Sequence, residues 1–200
     1  MPITPGEVER VFRASGALRD GHFVLSSGRH SPMYLEKFQV LQHPLETERL
    51  CRAIAEWART FDVATVAGPT TGGIILAHEV ARQLGVRAVY AERREDGAGR
   101  ELRRGFALAR EERVLVVDDI MTTGGSVQET MAAVRSASGR VVGAAVLVDR
   151  SGGAADLEVP FHALWTISIS SYAPTDCPLC AKGLPATHPG TTPAPAGAAR

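Results

Sequence analysis

Between residues 63 and 148 the chain alternates short unbroken apolar runs with longer amphipathic stretches. Residues 63–67, 86–91, 114–117 and 141–148 are rich in Val, Ala and Leu. Runs this continuous fit strands covered on both faces, as in parallel sheets. Residues 74–84, and the stretch from Ser126 to about residue 138, carry apolar positions at helical spacing. Each is followed by a glycine, Gly85 or Gly139, a common helix terminator. The alternation predicts an α/β fold, a doubly wound, mostly parallel sheet with helices on both faces. Residues 92–104 read as a polar loop and residues 106–109 as a short strand.

Before residue 63 the pattern is mixed. In Thr4-Pro5-Gly6-Glu7, Thr4 can cap a helix, Pro5 suits its first position and Glu7 can complete a capping box. Val8, Val11 and Phe12 follow at helical spacing, so a helix is expected over residues 5–15. Residues 22–26 and 31–38 predict two extended segments, with Ser27-Gly28-Arg29-His30 as the turn between them. Pro44 opens a helix to about residue 60, with Leu45, Leu50, Ile54, Trp57 and Phe61 on one face. The end of the chain, THPGTTPAPAGAAR, has the composition of a disordered tail. The reading is one domain over residues 1–185 and a disordered tail over 186–200.

Composition narrows the class. The 200 residues are 44% apolar and 22% charged, and 22 basic side chains cancel 22 acidic ones. Zero net charge gives no electrostatic support to nucleic-acid binding, and no apolar run is long enough to span a bilayer. Only Lys37 and Lys182 are lysine; the other basic residues are arginine. The start, MPITPGEVER, lacks a signal-peptide pattern. Three cysteines make no disulfide framework, so a reducing cytoplasm is expected. His22, His30, His43, His78 and His162 share no spacing and read as surface or packing residues. Cys51, Trp57 and Trp165 read as core. Cys177-Pro-Leu-Cys180, followed by His188, is half of a zinc pattern. A structural site wants four ligands, so the segment reads as a Pro-containing turn and no protein metal ligand is assigned.

The chemistry concentrates after residue 113. In VLVVDDIMTTGGS a buried strand delivers Asp118 and Asp119 at its C-terminal end, where open α/β sheets bind ligands. Thr122, Thr123, Gly124, Gly125 and Ser126 then lead into a helix. Small residues let backbone N–H groups wrap an anion, and the helix N-terminus adds its dipole. A phosphorylated sugar fits, with phosphate in the loop and ring hydroxyls donating to the acid pair. A nucleotide P-loop would need a lysine here, and GxGxxG is absent. Gly68-Pro-Thr-Thr-Gly-Gly73 occupies the equivalent place after another strand and offers a second anion cradle, so one ligand with phosphates at two ends is implied.

VLVVDDIMTTGGS resembles the signature of the type I phosphoribosyltransferases, which bind phosphoribosyl pyrophosphate (PRPP). GHFVLSSGRHSPMYLEKF, GPTTGGIILA, LRRGFAL and LVDRSGG extend the resemblance, over residues 5–185, to the orotate phosphoribosyltransferases. The resemblance implies a phosphoribosyltransferase-like sheet with a small hood from the N- and C-terminal segments, the former about residues 1–40. It implies transfer of the phosphoribosyl group from PRPP to orotate, giving orotidine 5-phosphate and pyrophosphate in pyrimidine synthesis. It also implies Mg²⁺ as cofactor and a cytoplasmic homodimer with shared sites, without nucleic-acid or membrane partners.

Position by position, Asp118 and Asp119 would be catalytic. With Ile120, Met121, Thr122, Thr123, Gly124, Gly125 and Ser126 they would hold the ribose and its 5-phosphate. Thr71 and Gly72 would line a pyrophosphate loop. Arg93 and Arg94 belong to the loop 92–104, expected to be mobile and to close on the neighbouring subunit's pyrophosphate, with Arg100, Arg103 and Arg104 as its other cations. Thr122, Arg150, Tyr34 and Leu35 would contact orotate, Arg150 through its carboxylate. Many relatives have lysine where this chain has Ser26 and Gly72, and Lys and His in the mobile loop. Arginine can neutralise pyrophosphate but cannot donate a proton near neutral pH. Two rivals are a PRPP-responsive regulator without catalysis and a purine-base transferase. The lack of a basic helix-turn-helix counts against the first; Asp149-Arg150 and the SGRHSP segment count against the second.

Overall fold

The computed structural model describes residues 3–153 and 156–189. Helix α1 (Pro5–Ala14) begins as its sequence requires. The Thr4 hydroxyl accepts from the Glu7 N–H, and Glu7 Oε2 accepts from the Thr4 N–H at 2.8 Å. The helix buries Val8, Val11 and Phe12. Strands β1 (Leu18–Val24) and β2 (His30–Leu35) form an antiparallel hairpin that is a sheet of its own. β1 begins four residues before the expected strand because buried Leu18 pairs with Leu35. β2 ends three residues early, and the chain turns into a short helix α2 (Phe38–Leu41). α3 (Pro44–Ala58) buries Leu50, Cys51, Ile54, Ala55 and Ala58.

The remaining strands are β3 (Thr65–Pro69), β4 (Arg87–Arg93), β5 (Arg100–Leu102), β6 (Arg113–Met121), β7 (Arg140–Asp149) and β8 (Phe161–Thr166). They form one sheet in the order β5-β4-β3-β6-β7-β8, parallel throughout except for β5 at the edge. α4 (Gly72–Leu84) follows β3 and α5 (Gly125–Ser136) follows β6. One face of the sheet packs on α1, α3 and α4 around Phe12, Leu50, Ile54 and Leu76; the other packs on α5 around Val127, Met131 and Val134. The expected doubly wound, mostly parallel sheet is therefore the observed one.

Several local expectations are corrected. Residues 92–104 are not a plain loop: Glu92 and Arg93 end β4 and pair antiparallel with Glu101 and Arg100 of β5. Residues 106–109 form no strand; Phe106 and Leu108 anchor a connection against the α5-side core. β8 had no counterpart in the sequence reading, because His162 and Trp165 break its apolar run. α5 ends through Ser138 rather than Gly139: Ser138 takes φ 67°. Residues 170–189 run back along the β1–β2 hairpin, with bridges His30–Tyr172 and Phe23–Thr187. Both chain ends thus build the hood. Thr187, expected in a tail beginning at 186, exchanges backbone hydrogen bonds with His22 and Val24; residues 190–200 lie outside the described residues. Among the described residues, no helix is long and apolar enough to cross a membrane.

Candidate active site

The acid pair stands at the C-terminal end of β6, the most buried strand position facing the loops. Asp118 is 5% exposed and Asp119 3%. Asp118 Oδ2 accepts from the Ser126 hydroxyl at 2.6 Å, and its Oδ1 from the Asp119 N–H. Asp119 Oδ1 accepts from the Ile120 N–H at 2.7 Å and lies 3.2 Å from Lys37 Nζ. Burial pushes Asp119 up to about 6, reinforced by the Asp118 charge and opposed by Lys37. Asp118 is also raised by burial, against the Ser126 and Asp119 hydrogen bonds. The two carboxylates hold more negative charge than their surroundings neutralise, as expected of a site that receives hydroxyl donors or a cation.

Two helix starts flank the pair. After β6, Thr122 and Thr123 are exposed and Gly124, at φ 83°, turns the chain into α5. After β3, Thr71 precedes Gly72 and Gly73 at the start of α4 without a side-chain cap. First-turn amides have no intrahelical acceptor, so both places present N–H groups to an anion. Gly72 packs against the acid pair itself: a Cβ there would collide with Asp119 Oδ2. Lys37, at the start of α2, brings an ammonium to Asp119. The sequence reading noted Lys37 as one of two lysines but gave it no role.

The cradle expected over residues 118–126 is not one loop. Residues 118–121 belong to β6; Met121 is buried in the α5-side core and Ile120 packs against the other. The side chains of Ile120 and Met121 pack into the core, and Thr122–Ser126 form the turn and helix start.

The arginines of residues 92–104 divide. Arg100 is buried: its Nη1 donates to Thr70 Oγ1 at 3.1 Å and to Ala91 O at 3.2 Å, and its Nε lies 3.3 Å from Glu129 Oε2 of α5. It braces the loop after β3. Arg94 pairs with Asp96, Arg103 with Glu95 and Arg104 with Glu92, all at the surface. Arg93 is exposed at the end of β4 and has no ion pair among the described residues.

Arg150 follows β7, and its N–H donates to Met121 O at 2.7 Å, which sets it beside the end of β6. Buried Asp149 accepts from the N–H groups of Ser151 and Gly153 and shapes this turn. Arg150 Nε is buried without a hydrogen-bond partner among the described residues, and burial lowers its pKa. Leu35 packs on the main core, whereas the Tyr34 ring lies 5.7 Å from Phe23 and under Arg19. Neighbouring strand residues face opposite ways, so the two side chains do not share one face.

Comparison with known proteins agrees with this geometry. The model of the phosphoribosyl transferase domain matches residues 39–179. Orotate phosphoribosyltransferase of Pelotomaculum thermopropionicum is 52% identical over 189 residues, covering 94% of this chain and 98% of that protein. That of Desulforamulus reducens is 50% identical, covering 92% and 96%. The crystal structure of orotate phosphoribosyltransferase from Aeropyrum pernix superposes with a TM-score of 0.68 at 29% identity, covering 80% of this chain and 93% of that one.

Proposed function

The chain belongs to the orotate phosphoribosyltransferases of the phosphoribosyl transferase domain family, and from that membership we propose how its own residues bind PRPP and orotate and carry the transfer. The enzyme moves the phosphoribosyl group of PRPP to orotate and releases pyrophosphate, a step of pyrimidine biosynthesis. The N–C bond to the base forms as the C–O bond to pyrophosphate breaks, through a transition state with positive charge on the ribose ring, and the proton of the attacking ring N–H passes to solvent or the released pyrophosphate.

The observation that carries the residue roles is the buried acid pair lying between two helix starts. Asp118 and Asp119 accept the ribose hydroxyls and stabilise the developing ring charge. The amides and hydroxyls of Thr122–Ser126 hold the 5-phosphate. The start of α4 at Thr71–Gly73, braced by Arg100, holds pyrophosphate, with Lys37 supplying positive charge beside Asp119. The unpartnered Arg150 takes the orotate carboxylate through charge-assisted hydrogen bonds, and Tyr34 packs on the base. The β4–β5 hairpin, with Arg93 and Arg94, closes over pyrophosphate and excludes water that would hydrolyse PRPP.

Two under-neutralised carboxylates are a hard oxygen donor set and fit Mg²⁺ carried in with PRPP. Bound Mg²⁺ would supply charge to the leaving pyrophosphate, with Asp118 and Asp119 as the protein oxygens of the site. Phe38 of α2, Leu45 of α3 and Ile75 of α4 are large apolar side chains left exposed, by 41%, 79% and 37%. Apolar side chains so placed favour a second copy of the chain as their cover, in a homodimer with shared sites. With Cys51, Cys177 and Cys180 all free, the cytoplasm is the compartment that fits.

The decisive assay supplies PRPP and Mg²⁺ with orotate, uracil, hypoxanthine, guanine or adenine. Product with orotate alone is expected. A purine product would overturn the base assignment, and binding of PRPP without product from any base would favour the regulator.

A further inference from the structure

Four side chains outside the acid-pair constellation converge in a way the sequence spacing concealed. His22 of β1, His30 of β2, and Cys177 and Cys180 of the C-terminal segment bring their ligand atoms within 4.8 Å of one another. His22 Nε2 lies 3.6 Å from Cys177 Sγ and 3.7 Å from Cys180 Sγ. His30 Nδ1 lies 3.3 Å from Cys180 Sγ and 2.7 Å from His22 Nε2. His188, which follows the two cysteines in sequence, is not in the group.

We propose that His22, His30, Cys177 and Cys180 form a structural Zn²⁺ site that fastens the C-terminal segment to the β1–β2 hairpin. Zinc with two imidazole and two thiolate ligands is four-coordinate and tetrahedral, and its bond lengths of about 2.0–2.3 Å set neighbouring ligand atoms about 3.3–3.8 Å apart. The three sulfur–nitrogen distances already fall in that range. The two ring nitrogens must separate by about half an ångström on the same geometry, and the widest pair of the group, which spans up to 4.8 Å, must close.

One of the two histidines is already oriented by a backbone carbonyl. His22 Nδ1 is 2.8 Å from Leu184 O. A proton on Nδ1 donated to that carbonyl leaves the Nε2 lone pair aimed into the cluster, the usual arrangement of a metal-bound histidine. Cys177 and His22 are 3% and 5% exposed while Cys180 is exposed, so the ion would sit at the edge of the hood with one side covered by protein. On binding, Cys177 and Cys180 each give one proton to solvent and both imidazoles bind neutral, so two thiolates balance the dication. All four positions are filled by protein, which makes the site structural rather than catalytic.

Such a staple has a clear purpose. A two-stranded hairpin is marginal by itself. Here it is also held by residues 170–189, through Tyr172, Ser171 and Thr187, and β2 leads directly to Lys37. Zinc would lock the hood from which Lys37 reaches Asp119.

The test uses the full chain, purified without chelators or a histidine tag. Elemental analysis should find about one zinc per chain, and under about a tenth in the Cys177→Ser, Cys180→Ser double variant. Wild-type protein stripped of metal and reduced should take up Co²⁺ with the intense bands of a tetrahedral thiolate complex, which decides the matter even if the variant does not fold. The proposal is overturned if reduced wild-type protein takes up neither Zn²⁺ nor Co²⁺. It is equally overturned if zinc content is unchanged in the double variant, or if native protein is metal-free with Cys177 and Cys180 joined as a disulfide.

Discussion

Gly72 and Asp119 are packed so closely that any side chain at residue 72 would displace the carboxylate. The loop after β3 and the acid pair after β6 therefore form one rigid unit, built across two adjacent strands. At the start of an exposed helix, glycine to alanine stabilises by about 0.4–1 kcal/mol when the backbone allows it. Here the new methyl must push Asp119 off its Lys37 and Ile120 contacts. Gly72→Ala is expected to fold, to show no gain in melting temperature, and to lose about 100-fold in kcat/KM, the scale of a 1 Å misplacement. Steady-state kinetics beside a thermal melt check this, and an active, stabilised variant would count against the unit.

Asp119 titrates against the fold. Its folded pKa of about 6 stands above the ordinary 3.8, so the native state binds more protons than the unfolded chain. Stability is then greatest below the unfolded pKa, falls as pH rises toward about 6, and stays flat above it. The penalty at neutral pH is at most about 3 kcal/mol. Asp119→Asn removes it, the attraction of Lys37 being already included in the shift. The variant should melt about 2–8 °C higher than wild type at pH 7.5, with the difference shrinking toward zero at pH 4, while turnover collapses. A variant that is less stable at pH 7.5 would show the carboxylate to be satisfied rather than strained.

The parts of this site that are legible in the sequence are those written in consecutive residues. VLVVDDIMTTGGS places a buried strand, two acids, a turn and a helix start in order, and each stands where its own chemistry puts it. The missing parts depend on partners far along the chain. Nothing near Gly72 in sequence says that Asp119 occupies the space of its side chain. Arg100 reads as one of five loop arginines until β5 folds back on β4 and turns it under Thr70. His22 and His30 share no spacing with Cys177 and Cys180 because the hood is assembled from opposite chain ends. Lys37 carried a faint signal, a solitary lysine in an arginine-rich chain. β8 was hidden because edge strands tolerate polar and aromatic residues that break a continuous apolar run.

Arg150 should govern the choice of base. Its buried Nε lacks an acceptor among the described residues, a cost that an incoming carboxylate removes. Loss of a charge-assisted hydrogen bond costs roughly 1.5–3 kcal/mol. Arg150→Ala is therefore expected to raise the orotate KM about 10- to 150-fold with the PRPP KM changed far less. Measuring both constants decides it: equal increases would mean that Arg150 supports the β7 turn instead of reading the base.

The β4–β5 hairpin yields two opposite expectations from one short segment. Arg100 is buried and bonded to Thr70 and Ala91, so Arg100→Met should lower the melting temperature as well as turnover, because buried acceptors lose their donor. Arg93 and Arg94 are exposed, and the Arg94–Asp96 pair at the tip is a surface contact that contributes little. Arg93→Ala with Arg94→Ala should leave the melt unchanged and reduce kcat, since these cations act only once pyrophosphate is present. If they serve the neighbouring subunit, a mixed dimer reveals it. One subunit carries the two arginine changes and the other carries Asp118→Asn with Asp119→Asn. Each parent homodimer should be nearly inactive. In the mixed dimer one site joins an intact acid pair to an intact hairpin from the partner, so activity should return to about half of wild type per dimer, given that the arginines act on the transition state. If the hairpin served its own subunit, each site would keep one defect and no activity would return. Dimer formation is verified by separating differently tagged subunits, and a verified mixed dimer without activity would refute the shared site.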